Sequence, residues 1–128
     1  MGTRSLTFVY NENKKAIINM YRQYDGYPAG HGKELAEFIN KRTILNGFGS
    51  QTMANYANGI ECLAAQIVKH FKDSIGGIYL YPTSEKDCGQ DYVYHVYTDK
   101  VKIVDYNNKK TIFNGTWKDF LKFCENDR

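Results

Sequence analysis

Cysteine is scarce in this sequence. There are three in 128 residues, Cys62, Cys88 and Cys124, far apart and odd in number. That argues against the disulfide framework of a small secreted domain. No signal peptide precedes the first predicted strand, and no apolar run approaches the ~20 residues that cross a bilayer. The expectation is a reduced, cytoplasmic chain that does not enter a membrane. Excess charge is also missing. Seventeen Lys and Arg against 14 Asp and Glu leave a net charge of +3, and the longest basic runs are the pairs Lys14-Lys15 and Lys109-Lys110. Duplex DNA, whose partners carry a concentrated basic stripe, is not an expected ligand. A small anionic ligand is compatible with the balance.

Diagnostic motifs are missing too. His31, His70 and His95 show no Cys-x-x-Cys-like or His-x-x-x-His spacing, so neither a metal nor a cofactor is expected. There is no G-x-x-x-x-G-K-[ST] and no G-x-G-x-x-G. Cys88 is the one cysteine in a polar stretch, and nothing near it in sequence marks it as a nucleophile. No catalytic residue is assigned, and the balance leans away from an enzyme.

What the chain does have is tyrosine: 11 of them, within an aromatic content of 15%. Tyrosine suits half-buried sheets and binding surfaces alike. Residues 5–10 and 16–24 alternate as strands around a polar turn and predict a β-hairpin. On the second strand Ile18, Met20, Arg22 and Tyr24 share a face, so Arg22 continues a largely apolar row. Leu35, Phe38 and Ile39 predict a helix over about 32–41. Residues 43–59 read as a long polar connection, with a short helical turn near Met53–Ala57. Ile60, Leu63, Ile67 and Phe71 give the clearest helical stripe, which Gly76-Gly77 stops. Strands follow over 78–81, 91–97, 101–106 and 111–113. Thr116 caps a last helix, with Asp119 three residues on and Trp117, Phe120, Leu121 and Cys124 at core spacing. The order predicts a single α+β domain over 1–128: an antiparallel sheet built from hairpins, with about three helices packed on one face.

The chain is organised around 22–33, Arg-Gln-Tyr-Asp-Gly-Tyr-Pro-Ala-Gly-His-Gly-Lys. Glycine permits close approach, and a helix start offers free N–H groups and positive dipole. If the first two strands pair, Arg4 lies near the end of the second, where it and Arg22 converge on an anion. Arginine's planar fork suits phosphate. Tyr24 and Tyr27 supply stacking surfaces. His31, Gly32 and Lys33 open the helix. Asp25 either joins the ligand or neutralises an arginine as a brace. The candidate ligand-binding residues are thus Arg4, Arg22, Tyr24, Asp25, Tyr27, His31, Gly32 and Lys33.

The opening Met1-Gly2-Thr3-Arg4-Ser5-Leu6 and the later Gln23-Tyr24-Asp25-Gly26-Tyr27-Pro28-Ala29-Gly30-His31-Gly32 resemble a family of small proteins of bacteriophages and microbial genomes. Its members open M-G-T-R-x-L and carry Q-[YW]-D-G-Y-P-x-G-x-G. The match covers roughly the first third of the chain. It implies a phage or prophage setting rather than an activity. By analogy with phage proteins that soak up nucleotide immune messengers, the first expectation is an oligomeric protein that sequesters a small anionic nucleotide. The alternative is an interaction module that inhibits a host factor. A small hydrolase comes last: loss of Met1 exposes Gly2, which has no nucleophile, although Asp25 with His31 is a conceivable acid–base pair.

Overall fold

The computed structural model describes residues 2–45 and 56–126. Two strands open the chain, β1 (Ser5–Tyr10) and β2 (Ala16–Arg22). They pair antiparallel, with Ser5 opposite Arg22 and Val9 opposite Ile18. The turn between them is tied by Asn11 Oδ1, which accepts the N–H groups of Asn13 and Lys15. That side chain reinforces the backbone turn bond from the Lys14 N–H to the Asn11 carbonyl at 2.9 Å. A π-helical turn over Pro28–Gly32 then leads straight into helix α1 (Lys33–Asn40). Strand β3 (Thr43–Leu45) and strand β4 (Tyr56–Asn58) form a small parallel ladder of their own. Helix α2 (Gly59–Phe71) follows, then the sheet strands β5 (Ile78–Leu80), β6 (Tyr92–Val96), β7 (Val101–Asp105) and β8 (Lys110–Gly115). Helix α3 (Trp117–Asn126) ends the described chain. The Asp119 N–H donates to Thr116 Oγ1 at 3.3 Å, the predicted cap.

The main sheet runs β5-β2-β1-β6-β7-β8. Every neighbour pair is antiparallel except the central one: β1 and β6 run parallel, Leu6 beside Val93 and Val9 beside Val96. Two three-strand antiparallel units are thus joined along a parallel seam. A parallel pair needs a long crossover, and here α1 and α2 provide it. Among the described residues the α+β fold, with a mostly antiparallel sheet and three helices, therefore stands as the sequence predicts. The seam is what hairpin reading leaves out.

Alternation decides the two faces. Val9, Met20, Tyr94, Val96, Val101 and Ile103 face the helices and join Leu35, Leu63, Ile67, Trp117, Phe120 and Cys124 in the main core. Fully burying a side chain such as Leu or Phe contributes about 1.5–3 kcal/mol. The other face carries Leu6, Phe8, Tyr21 and Val93 in a smaller cluster, with Cys88 packed against it. The polar segment after β5 covers part of it: Asn19 Nδ2 donates to the carbonyls of Pro82 and Glu85.

Several local expectations shift. The 43–59 connection carries strands at both ends, and Tyr56 and Ala57 lie in β4 rather than in a helical turn; Met53 lies outside the described residues. Helix α2 ends at Phe71, before Gly76 and Gly77. Both glycines have positive φ, +77° and +78°, and they turn the chain into β5.

Candidate functional site

The 22–33 segment is folded by its own backbone. Asp25 sits at φ +61°, a left-handed geometry that Asp tolerates better than most residues. Its carbonyl accepts the His31 N–H at 2.8 Å, and Gly26 N–H donates to the Thr3 carbonyl at 2.8 Å. The glycines answer to neighbours rather than to a ligand. A Cβ on Gly26 would stand 2.9 Å from the Arg4 carbonyl carbon and the Ser5 nitrogen, and one on Gly30 2.6 Å from the Asp25 oxygen. A Cβ on Gly32 would stand 2.9 Å from Cys124 Sγ and 3.3 Å from Phe120 and Tyr94. Gly32 is therefore where the start of α1 presses against α3. Gly32→Ala is expected to cost about 1–3 kcal/mol by overpacking, read as a lowered urea midpoint with unchanged slope.

His31 is fully buried. Its ring lies 4.8 Å from those of Phe71 and Tyr94. Nδ1 is 3.1 Å from Arg22 Nη1, and Nε2 is 2.8 Å from Thr7 Oγ1. A guanidinium only donates, so Nδ1 must accept and the ring proton belongs to Nε2. Burial first, and the Arg22 charge second, push the His31 pKa down to about 3. The ring is neutral at pH 7. Arg22 Nη1 also meets Glu34 Oε1 at 2.5 Å, and Nε donates to the Tyr24 carbonyl at 2.6 Å. Three acceptors thus fix the guanidinium, and it lies 5.6 Å from the centre of the Phe71 ring.

Arg4 does not join it. Successive residues of a strand face opposite ways. Arg22 lies on the helix side, and its neighbour Tyr21 on the other. The Arg4 side chain lies beside Tyr21, whose hydroxyl it acts upon, and within 4 Å of a Cβ placed on Gly89. Arg4 and Arg22 are thus on opposite faces of the sheet, and their expected convergence does not occur. Asp25 pairs with neither arginine; its Oδ1 accepts the Tyr27 hydroxyl at 3.3 Å. The brace exists, but Glu34 supplies its acid.

Beside the brace opens a cleft of about 400 Å³, lined by Arg22, Tyr24, Glu34, His70, Phe71, Asp73, Ser74, Gly76, Gly77 and Ile78. Of the predicted residues only Arg22 and Tyr24 reach it. Arg4, Asp25, Tyr27, His31, Gly32 and Lys33 do not line it. The sequence reading missed Glu34, His70, Phe71, Asp73 and the glycine pair. Glu34 comes from the first turn of α1, and the segment from Asp73 to the glycine pair arrives because β5 pairs with β2, Ile78 opposite Arg22. The alternating Ile-Tyr-Leu-Tyr after Gly76-Gly77 was the available signal. A second cleft of about 400 Å³, lined by Glu37, Phe38, Lys41 and Arg42, shares Glu34 and His70 with the first.

The first cleft has both signs of charge. Arg22 is offset by Glu34, and Asp73 adds a further carboxylate. Two aromatic rings, Tyr24 and Phe71, bound it. Ser74, His70 and Asp73 line one wall, but the Ser74 hydroxyl donates to the Ile75 carbonyl at 3.4 Å, and no hydrogen bond links the three among the described residues. The Cys88 thiol is half-buried, and its pKa is raised by burial, then by Glu85 and Asp87. That suppresses the reactive thiolate. No group of three metal-ligating side chains is present, and no helix is long and apolar enough to cross a membrane, both among the described residues. Compared with protein-family models, curated proteins and solved structures, the chain matches none.

Proposed function

We propose that this is a small binding protein that holds an anionic nucleotide without transforming it. In the phage setting that the N-terminal motifs suggest, the ligand is a cyclic oligonucleotide or an ADP-ribose-derived messenger, captured in the host cytoplasm by a homo-oligomer to blunt defence signalling. One observation carries the reading: a guanidinium fixed by three acceptors at the rim of a cleft of about 400 Å³, between Tyr24 and Phe71. That volume lies within the range of small-molecule sites, roughly 300–1,000 Å³. A base stacks on the exposed Tyr24, a phosphate takes Arg22, and the Glu34 and Asp73 carboxylates accept ribose hydroxyls.

The test is filtration of the protein with cyclic di- and trinucleotides and cyclic ADP-ribose isomers, then chromatography of both fractions. One ligand is retained and recovered intact on denaturation. Tyr24→Ala, which removes an exposed ring and no core contact, weakens retention about tenfold, since stacking on an aromatic side chain contributes ~1–3 kcal/mol. Its melting temperature stays unchanged. Complete recovery of every nucleotide in the flow-through refutes the reading.

A second reading, a protein-interaction module, has its own observation. The exposed large apolar side chains of the described residues are Tyr24, Tyr27, Ile75, Tyr79, Leu80 and Tyr81. All six fall in two short segments that the β2–β5 pairing brings together.

A further inference from the structure

β5 is an edge strand, and its bonding pattern restricts what can lie against it. Tyr81 N–H donates to the Asn19 carbonyl and Gln23 N–H to the Gly77 carbonyl. Residues 77, 79 and 81 therefore turn their backbone groups toward β2. Those of Ile78 and Leu80 point away from the sheet. Ile78 is already served: its N–H donates to the Gly76 carbonyl at 2.9 Å, and its carbonyl accepts Lys72 Nζ at 2.9 Å. Leu80 is left as the open rung of the edge.

The two edges of the sheet are built differently. The outer strand β8 exposes Lys110, Thr111 and Asn114. A lysine on an edge is a common guard against pairing with another strand. β5 carries no charge. It exposes Tyr79 and Tyr81 on one face and Leu80 on the other, with Leu80 56% and the nearby Ile75 97% exposed. The two tyrosine rings pack on the buried Tyr21, at 6.1 and 5.6 Å.

We propose that β5 pairs with the β5 of a second copy of this chain, antiparallel across a twofold axis at Leu80. This rests on the oligomer reading given above and assigns its interface. Three features favour a second copy over an unrelated strand. The twofold register places Leu80 against Leu80, forming two hydrogen bonds, and Tyr79 against the partner's Tyr81, so aromatic meets aromatic across the strands. It also places Ile78 against the partner's Pro82. Proline has no N–H to give, and the Ile78 carbonyl, which would need that donor, is the one that Lys72 already fills. Charge agrees as well: the Lys72 end of one β5 meets the end where the partner's Glu85 follows.

The area fits a weak dimer. A buried aromatic side chain covers roughly 150–250 Å², so a half-exposed one presents roughly 100 Å². Ile75, Tyr79, Leu80 and Tyr81 are the exposed apolar residues on or beside β5, and they give on the order of 400 Å² per copy, or about 800 Å² in a pair. That is below the standard size and in the range of weak, transient association.

Sedimentation equilibrium of the full chain from about 1 to 500 µM reads the association directly. The wild type is expected to pass from monomer to dimer. Leu80→Lys, which puts on β5 the guard that β8 carries, is expected to weaken dimerisation at least tenfold while keeping the wild-type melting temperature at about 1 µM, where both chains are monomers. Amide exchange gives a readout that needs no variant: Leu80 N–H is protected at high and not at low concentration, whereas Ile78 N–H is protected at both. A wild-type chain that stays monomeric throughout overturns both this interface and the oligomer reading. A dimer that survives Leu80→Lys with unchanged affinity, or a Leu80 amide that exchanges equally at all concentrations, overturns the interface and leaves the oligomer standing on another surface.

Discussion

His31→Ala is expected to lower the stability of the fold by about 3–5 kcal/mol, the range for deleting a large buried ring. The side chain is fully buried, and its ring fills the space between Phe71 and Tyr94. Its loss leaves a cavity there. It also orphans the Thr7 hydroxyl beside Nε2 and removes an acceptor from Arg22. An unsatisfied buried polar group costs about 1–3 kcal/mol. Typical domains have about 5–15 kcal/mol in total, so the variant loses a large share of it. His31→Phe separates the two causes. It refills the cavity but accepts nothing from Arg22, so it is expected to recover only the packing part. Urea unfolding of all three proteins at pH 7.5 makes the comparison. If His31→Ala costs under about 1 kcal/mol, the brace is not structural and the geometry of the turn needs another cause.

That account changes how the 22–33 segment is read. Sequence placed it between the first hairpin and the first helix, and the structure agrees. Glycine marks where something comes close, without saying what. At Gly26 and Gly30 the close neighbour is the chain's own backbone, and at Gly32 it is Cys124. The acid for Arg22 was sought in Asp25, three residues away. It is Glu34, in the first turn of α1, where a carboxylate also favours the helix dipole.

The hairpin, the α2 stripe and the Thr116 cap were legible because each rests on near neighbours in sequence. The parallel seam between β1 and β6 was not, because strands 87 residues apart, Ser5 beside Tyr92, share no local pattern. Arg4 shows a subtler limit. Placing it near the end of β2 was sound, yet side chains alternate with a period of two. With Ser5 opposite Arg22, Arg4 falls in the row of Leu6 and Phe8, one residue out of step. Proximity along the strand was readable; the face depended on a one-residue register. The cleft needed more still, since half its wall follows α2 and arrives only when β5 lies against β2.

Acid is expected to unfold this protein early, and the buried His31 and half-buried His95 are the reason. The His31 pKa is held down at about 3 and that of His95 at about 4, each first by burial; Arg22 acts further on His31, and Lys102 and Lys86 on His95. In the unfolded chain both return to about 6.5. Below that pH the unfolded state binds protons that the folded state refuses, so stability falls as pH falls. Each pKa unit is about 1.36 kcal/mol. His31 therefore removes about 4–5 kcal/mol by pH 3, and His95 about 3 kcal/mol by pH 4. The window identifies the groups. Asp91, whose carboxyl is held below its usual value by the Arg4 N–H and by Asn107, loses its contribution only below about pH 3.8. Urea unfolding at pH 7.5, 6, 5 and 4 should show a decline that begins near 6.5 and steepens toward two protons, about 2.7 kcal/mol per pH unit, near pH 5. His31→Gln starts lower at pH 7.5 and follows a shallower slope, by up to one proton. A wild-type stability that is level from pH 7 to 5, or an unchanged slope in His31→Gln, would show that the imidazole is protonated in place and that burial and Arg22 do not hold it neutral.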